Sequence, residues 1–344
     1  MPSQKTISPE RWRLSVAPML DWTDRHCRYF HRLLTKQALL YTEMVTTGAL
    51  MHGDAERHLR YNNEEHPLAL QLGGSEPAEL AHCARLALQW GYDEVNLNCG
   101  CPSERVQRGS FGACLMAEPA LVADCIKAML DVVSIPVTVK HRVGIDQSES
   151  YDFVRDFVGI VSEAGCEVFI VHARNAWLKG LSPKENRERP PLRYETVHRL
   201  KRDFPDLVIV INGGISTTEK VREQLHLVDG VMLGREAYHN PWWLTQWDSA
   251  FFDACAPGAG AGLGREQIEA QMVGYMEREA ATHGTPWFAI ARHMLGLRHG
   301  LPGARRWRRI WSDHRLKNWA PREVMALVHG SEEPANACES GKLS

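Results

Sequence analysis

Short apolar runs closed by Gly, Pro or polar residues alternate along the chain with longer stretches whose apolar side chains recur at helical spacing. The runs at 14–20, 38–45, 67–72, 94–98, 136–140, 167–172, 207–211 and 230–233 read as strands. Between them, residues 23–34, 76–90, 119–133, 150–164, 194–204 and 217–225 read as helices, with Pro77 in a first turn, where proline is tolerated. Eight strands alternating with helices over roughly 235 residues predict a (β/α)8 TIM barrel, an α/β fold, with an open doubly wound sheet as the alternative topology. The runs are rich in Val, Ile and Leu, as strands covered on both faces are. Beyond them a Gly/Ala/Pro-rich linker leads to further helical patterns at 266–282, 287–298, 304–316 and 321–328, a small C-terminal α-helical domain. The predicted organisation is an extension at 1–11, a barrel at 12–250, a linker at 251–265, a helical domain at 266–330 and a disordered tail at 331–344.

Composition narrows the class. With 44% hydrophobic and 24% charged residues the chain is an ordinary globular one. It has no apolar run of bilayer-spanning length, and residues 1–11 lack the apolar core of a signal peptide, so a cytoplasmic location away from membranes is expected. Nine cysteines, an odd number, argue against a disulfide framework. Cys99 and Cys101 are too close for an ordinary zinc knuckle and lack a matching second pair, so no metal site is expected. The net charge of -2 hides an asymmetry. Nine Lys/Arg between Arg292 and Glu323 face only Asp313 and Glu323, leaving +7 there and -9 elsewhere. Such a segment points to a polyanionic partner.

The candidate chemistry lies at strand ends, which a barrel gathers on one face. Asn212-Gly213-Gly214 and Gly234-Arg235 end the last two strands, where barrels commonly bind phosphate through backbone N–H groups. Gln71, Lys140 and His172 end strands three, five and six; a lysine closing an apolar strand needs a polar or anionic partner. A flavin mononucleotide fits both features, its phosphate at the glycines and its ring at the three side chains. The run from Val95 to Met116 breaks at Gly100-Cys101-Pro102-Ser103 and sets a thiol at a strand mouth. That thiol is either a displayed reactive group or a small packing residue.

Taken together, Ala17-Pro18-Met19, Leu70-Gln71-Leu72-Gly73-Gly74, Asn96-Leu97-Asn98-Cys99-Gly100-Cys101-Pro102-Ser103, Lys140-His141-Arg142, His172-Ala173-Arg174, Asn212-Gly213-Gly214-Ile215 and Leu233-Gly234-Arg235 resemble the signatures of the tRNA-dihydrouridine synthases, in order and over nearly the whole chain. The run from Trp177 to Arg187 and Gly303-Ala304-Arg305-Arg306-Trp307-Arg308-Arg309 are similar to the bacterial subfamily acting on D-loop uridines 20 and 20a. The resemblance implies FMN held by Ala17, Pro18, Met19, Gln71, Lys140, His172, Asn212, Gly213, Gly214, Gly234 and Arg235. It implies NADPH as reductant, hydride delivery to C6 of a uracil, and Cys101 as the acid at C5. Cys99 falls outside the family's Cys-Pro-Ser motif and is taken as structural.

Asn98 is expected at the uracil edge, offering donor and acceptor. Lys184 and Arg187, on a long βα loop, and Arg305 and Arg308, three apart on one helical face, are expected to contact tRNA. Trp307, Trp311 and Trp319 offer stacking surfaces, although tryptophans in such a helix usually face the core. Gly109 and Gly112 would let the loop 105–113 move. No Gly-x-Gly-x-x-Gly follows a strand, so the nicotinamide site has no sequence marker. A monomer is expected. Two competing readings are an FMN barrel reducing a small molecule, such as a free pyrimidine, and a non-catalytic RNA-binding barrel.

Overall fold

The computed structural model describes residues 8–252 and 263–330. Most of the expected linker and all of the expected tail lie outside the described residues. Eight parallel strands close into a barrel in sequence order: β1 Leu14–Val16, β2 Leu39–Thr46, β3 Leu68–Gly73, β4 Glu94–Cys99, β5 Val137–Arg142, β6 Val168–His172, β7 Val208–Asn212 and β8 Gly230–Leu233. Closure comes from β1 pairing with β8, Leu14 opposite Val231 and Val16 opposite Leu233. The open-sheet alternative is thereby excluded. No described helix is long and apolar enough to cross a membrane.

The two-residue period of each strand divides the core in two. Outward residues such as Leu70, Leu97, Val139, Phe169 and Ile211 join the helices in one large apolar shell. Inward residues form a second, smaller cluster: Trp12, Leu39, Tyr41, Ala69, Val168, Ile170, Val208, Val210 and Met232. On β4 and β5, and on β3 above Ala69, the inward positions are polar instead: Gln71, then Glu94, Asn96 and Asn98, then Thr138 and Lys140. The barrel is therefore apolar on one side of its axis and polar on the other.

Helices start where a side chain can cap them. The one predicted from residue 23 begins at Arg25, because the Asp24 carboxylate accepts the His26 and Cys27 N–H groups. The expected helix 287–298 is instead a single α segment, Trp287–Ala291, followed by a 3-10 turn, Arg292–Met294. Gly296 then lies so close to the barrel that a Cβ would stand 2.6 Å from the His239 carbonyl. The expected helix 304–316 ends at Trp311, and Asp313 caps a separate 3-10 turn, His314–Leu316.

The helical region is joined to the barrel by charge. Glu279 of helix Arg265–His283 pairs with Arg25, and Asp24 receives Arg292 at 2.8 Å and buried His293 at 3.0 Å. Its own centre is Glu269, fully buried, which accepts the indole N–H groups of Trp307 at 2.8 Å and Trp311 at 2.7 Å and ion-pairs with Arg298 and His329. Trp307 and Trp311 are thus core residues, whereas Trp319 is partly exposed. Replacing Glu269 by Ala leaves two buried indole N–H groups unpaired and takes from Arg298 one of its two carboxylate partners. A loss of about 3–5 kcal/mol is expected in denaturant melts.

Candidate active site

The strand ends set the site. On β4 the inward Asn98 turns the chain: its Oδ1 accepts the backbone N–H of Gly100 at 3.1 Å and of Cys101 at 3.0 Å. From the other side, the Cys101 carbonyl accepts the Ala113 N–H at 2.9 Å. Gly112 makes this approach possible: its φ is +79°, and a Cβ would stand 2.6 Å from the Cys101 oxygen. Cys101 is partly exposed at the mouth, beside the Ser103 hydroxyl at 3.6 Å. Cys99, two residues earlier, points outward, is fully buried in the apolar shell, and its thiol is pushed well up by desolvation. The segment expected as a mobile loop at 105–113 contains a helical turn, Glu104–Arg108, and Gly112 has a steric reason to be glycine.

Lys140 enters the mouth from β5 and donates to Asn212 Oδ1 at 3.2 Å; Asn212 Nδ2 in turn donates to the Met232 carbonyl at 2.8 Å. Burial, then Arg142, push the Lys140 ammonium from 10.5 down to about 7, while Cys101 acts in the opposite sense. His172 on β6 is held neutral by burial and by the surrounding Arg142, Lys140 and Arg174. Gly213 packs on its ring, where a Cβ would stand 2.7 Å from Cδ2. Gly213 and Gly214 have φ of +117° and +68°. Gly234 adjoins Met19 and Ala17, and the Ala17 N–H binds the Leu233 carbonyl at 2.7 Å. Gln71, Asn98, Cys101, Lys140, His172, Asn212, Gly213, Gly214, Gly234, Ala17, Pro18 and Met19 therefore share one end of the barrel.

Two predicted roles are narrowed. Asn98 uses both acceptor lone pairs on the turn and one N–H on Gln71, at 2.9 Å, so it has a single N–H left to offer rather than a donor and an acceptor. Arg235 is engaged by Glu188 at 2.5 Å, so an incoming phosphate would share or displace that carboxylate.

The loop carrying Lys184 and Arg187 is pinned by Asn186, fully buried, whose side chain binds backbone at Trp177, Leu181 and Ser182. Arg142 links this loop to the Cys101 turn. Its guanidinium donates to the carbonyls of Gly100 at 3.0 Å, Asn175 at 3.3 Å and Asn186 at 2.9 Å, and it has no carboxylate partner among the described residues. Arg142 and Asn186 both stand in motif runs of the sequence, but neither is assigned a role there. Lys184 and Arg187 are exposed without ion pairs among the described residues, and Arg187 lies within electrostatic reach of Cys101.

In the helical region the +7 of the sequence is largely answered. Arg292, Arg298, Arg315 and Arg322 have carboxylate partners, and Arg306 binds the last carbonyls of helix Pro321–His329. Arg305, Arg308, Arg309 and Lys317 remain without an ion pair among the described residues. Arg308 lines a cleft of about 360 Å³ with Tyr238, His239, Arg292 and His299, at the barrel boundary.

The residues fit a flavin mononucleotide. The ammonium of Lys140 has two donors beyond Asn212, Asn98 has one, and the glycines after β7 and β8 leave the backbone bare. No group of His, Cys, Asp and Glu able to hold a metal ion occurs among the described residues.

The dihydrouridine synthase family model matches residues 15–328. This chain belongs to the dihydrouridine synthase family. Within that family, the tRNA-dihydrouridine(20/20a) synthase of Yersinia pestis is 60% identical over 324 residues, covering 93% of this chain and 92% of that protein. The protein of the same name from Pseudomonas aeruginosa is 63% identical over 300 residues, 87% and 89% of the two chains. Among solved structures, one titled as a 2-naphthoyl-CoA reductase complex with 2-naphthoyl-CoA matches with a TM-score of 0.56 at 10% identity, covering 71% of this chain and 52% of that one. That likeness is one of fold alone.

Lys140 gives a signed prediction. In the flavin-free protein, the unfolded chain holds a proton between about pH 7 and 10.5 that the folded chain does not, so this group's contribution to stability rises with pH across that window. Lys140→Met removes the cost of burying the ammonium. The variant is expected to be more stable than the parent by about 1–3 kcal/mol at pH 6–7, with the gap closing towards pH 10.5 in denaturant melts.

Proposed function

We propose that this protein reduces the C5–C6 double bond of uridine to 5,6-dihydrouridine in the D-loop of tRNA, at positions 20 and 20a, with FMN as cofactor and NADPH as reductant. One observation carries the reading. A chain matched over most of its length by proteins named for this reaction holds a partly exposed thiol, Cys101, at a barrel mouth among Lys140, Arg142 and Arg187.

Held at this mouth and reduced by NADPH, FMN would supply the hydride for C6. The chain supplies the rest. Cys101 gives its proton to C5, and the thiolate left behind sits near three cations until solvent reprotonates it. The free N–H of Asn98 faces a carbonyl oxygen. Lys140, His172, Asn212, Gly213, Gly214, Gly234 and Arg235, with Ala17, Pro18, Met19 and Gln71, hold the cofactor. A uridine inside a folded RNA must leave its stack to reach this mouth. Lys184 and Arg187 hold the displaced nucleotide, and Arg305 and Arg308 hold the backbone from the helical domain, residues 266–330.

Cys101→Ala is expected to lower single-turnover dihydrouridine formation by about 100-fold or more while flavin absorbance is kept. Undiminished turnover would remove the assigned acid. Activity on free uridine equal to that on tRNA would favour a small-molecule reductase. Arg305→Ala and Arg308→Ala are each expected to lower the slope of log affinity for tRNA against log salt by about 0.7–0.9. An unchanged slope would take that residue off the RNA.

A further inference from the structure

Five inward side chains, Glu94, Thr138, Asn96, Gln71 and Asn98, form an unbroken hydrogen-bonded line from the floor of the barrel to the Cys101 turn. At the floor, Glu94 accepts from Trp12 Nε1 at 2.7 Å, Tyr41 Oη at 2.8 Å and Thr138 Oγ1 at 2.6 Å. Thr138 Oγ1 accepts from Asn96 Nδ2 at 2.7 Å, Asn96 Oδ1 from Gln71 Nε2 at 2.7 Å, and Gln71 Oε1 from Asn98 Nδ2 at 2.9 Å. Asn98 Oδ1 then accepts the Gly100 and Cys101 N–H groups. Glu94, Asn96 and Thr138 are fully buried and Gln71 nearly so; Asn98 alone among the amides reaches solvent.

Such a line can run in only one direction. An indole N–H is solely a donor, and so is a backbone N–H. At the floor, three donors converge on the two oxygens of Glu94, whose carboxyl is pushed up by burial while these three hydrogen bonds act in the opposite sense. At the top, two backbone donors require a carbonyl oxygen from Asn98. Thr138 has one proton and gives it to Glu94, so Asn96 must present its NH2 to Thr138 and its oxygen to Gln71. Reversing any one amide sets donor against donor at a buried contact, which costs the desolvation of both groups.

We propose that Glu94, Thr138 and Asn96, none of which reaches the mouth, are positioning residues: they set the orientation of the Gln71 and Asn98 amides and thereby hold the Cys101 turn closed. A consequence for recognition follows. What Asn98 shows the substrate is an N–H, so the mouth is matched to a carbonyl edge such as the O2 or O4 of uracil, and mismatched to the exocyclic amine of cytosine. The proposal rests on Cys101 as the acid; the experiment below separates the two.

The test is the rate at which iodoacetamide alkylates Cys101 in the full-length protein as purified, followed by peptide mass spectrometry. Thr138→Val keeps the shape and removes the link; Thr138→Ser keeps the hydroxyl and removes a methyl. Loss of one net hydrogen bond corresponds to about three- to tenfold in the opening of the turn, so Thr138→Val is expected to label Cys101 faster by that factor. Thr138→Ser is expected to label at the parental rate. Parental labelling in Thr138→Val overturns the proposal, as does Thr138→Ser behaving like Thr138→Val, which would make the effect one of packing. Should Thr138→Val fail to fold, Glu94→Gln is judged by the same ratio, and a parental rate there is equally fatal. Full dihydrouridine activity in Cys101→Ala would remove the acid and leave the labelling result standing.

Discussion

A closed barrel excludes water from its axis, so every polar group turned inward must find its partner inside the protein. That constraint governs this molecule. On β6, β7 and β8 it is met by avoidance, with Val168, Ile170, Val208, Val210 and Met232 filling the interior. On β3, β4 and β5 it is met by pairing, from Glu94 upward. Along this line the pairing becomes incomplete at the mouth, where Lys140 and Asn98 keep donors in reserve. The site lies where the internal demand for partners stops being satisfied, and this is why a ligand has something to bind.

Much of this was legible in the sequence. The eight strands were found because a fully covered strand needs an unbroken apolar run, and the strand-end motifs mark the face where they converge. Gly230–Leu233 matched to the residue because glycine and aspartate bound it sharply. What lay beyond reach was partnership across the barrel. Nothing along the chain says that Asn96 meets Thr138, 42 residues away, or that Arg142 reaches Asn186, 44 away. The alternation of β4 turns Cys99 outward with Val95 and Leu97, but by alternation alone Cys101 would face the same way; the turn capped by Asn98 separates the two thiols, and the strand pattern does not announce it.

Charge counting shows the same limit. The basic segment was correctly located, yet most of its arginines are structural: Arg292 and Arg298 hold helices to their neighbours, and Arg306 ends a helix. A net charge of +7 thus becomes a patch of Arg305, Arg308, Arg309 and Lys317. Partner choice depends on this remainder, because an arginine already on a carboxylate contributes little to the field outside.

Among the described residues, Arg142 donates its hydrogen bonds to backbone carbonyls alone, those of Gly100, Asn175 and Asn186. A carbonyl is the same whatever side chain its residue carries. The path of the loop at 177–191 relative to the thiol is therefore anchored without reference to the identities of Lys184, Arg187 or their neighbours. Placement and recognition are encoded in different atoms, so the loop's exposed side chains are free to drift towards a new RNA contour while the distance from that loop to Cys101 stays fixed.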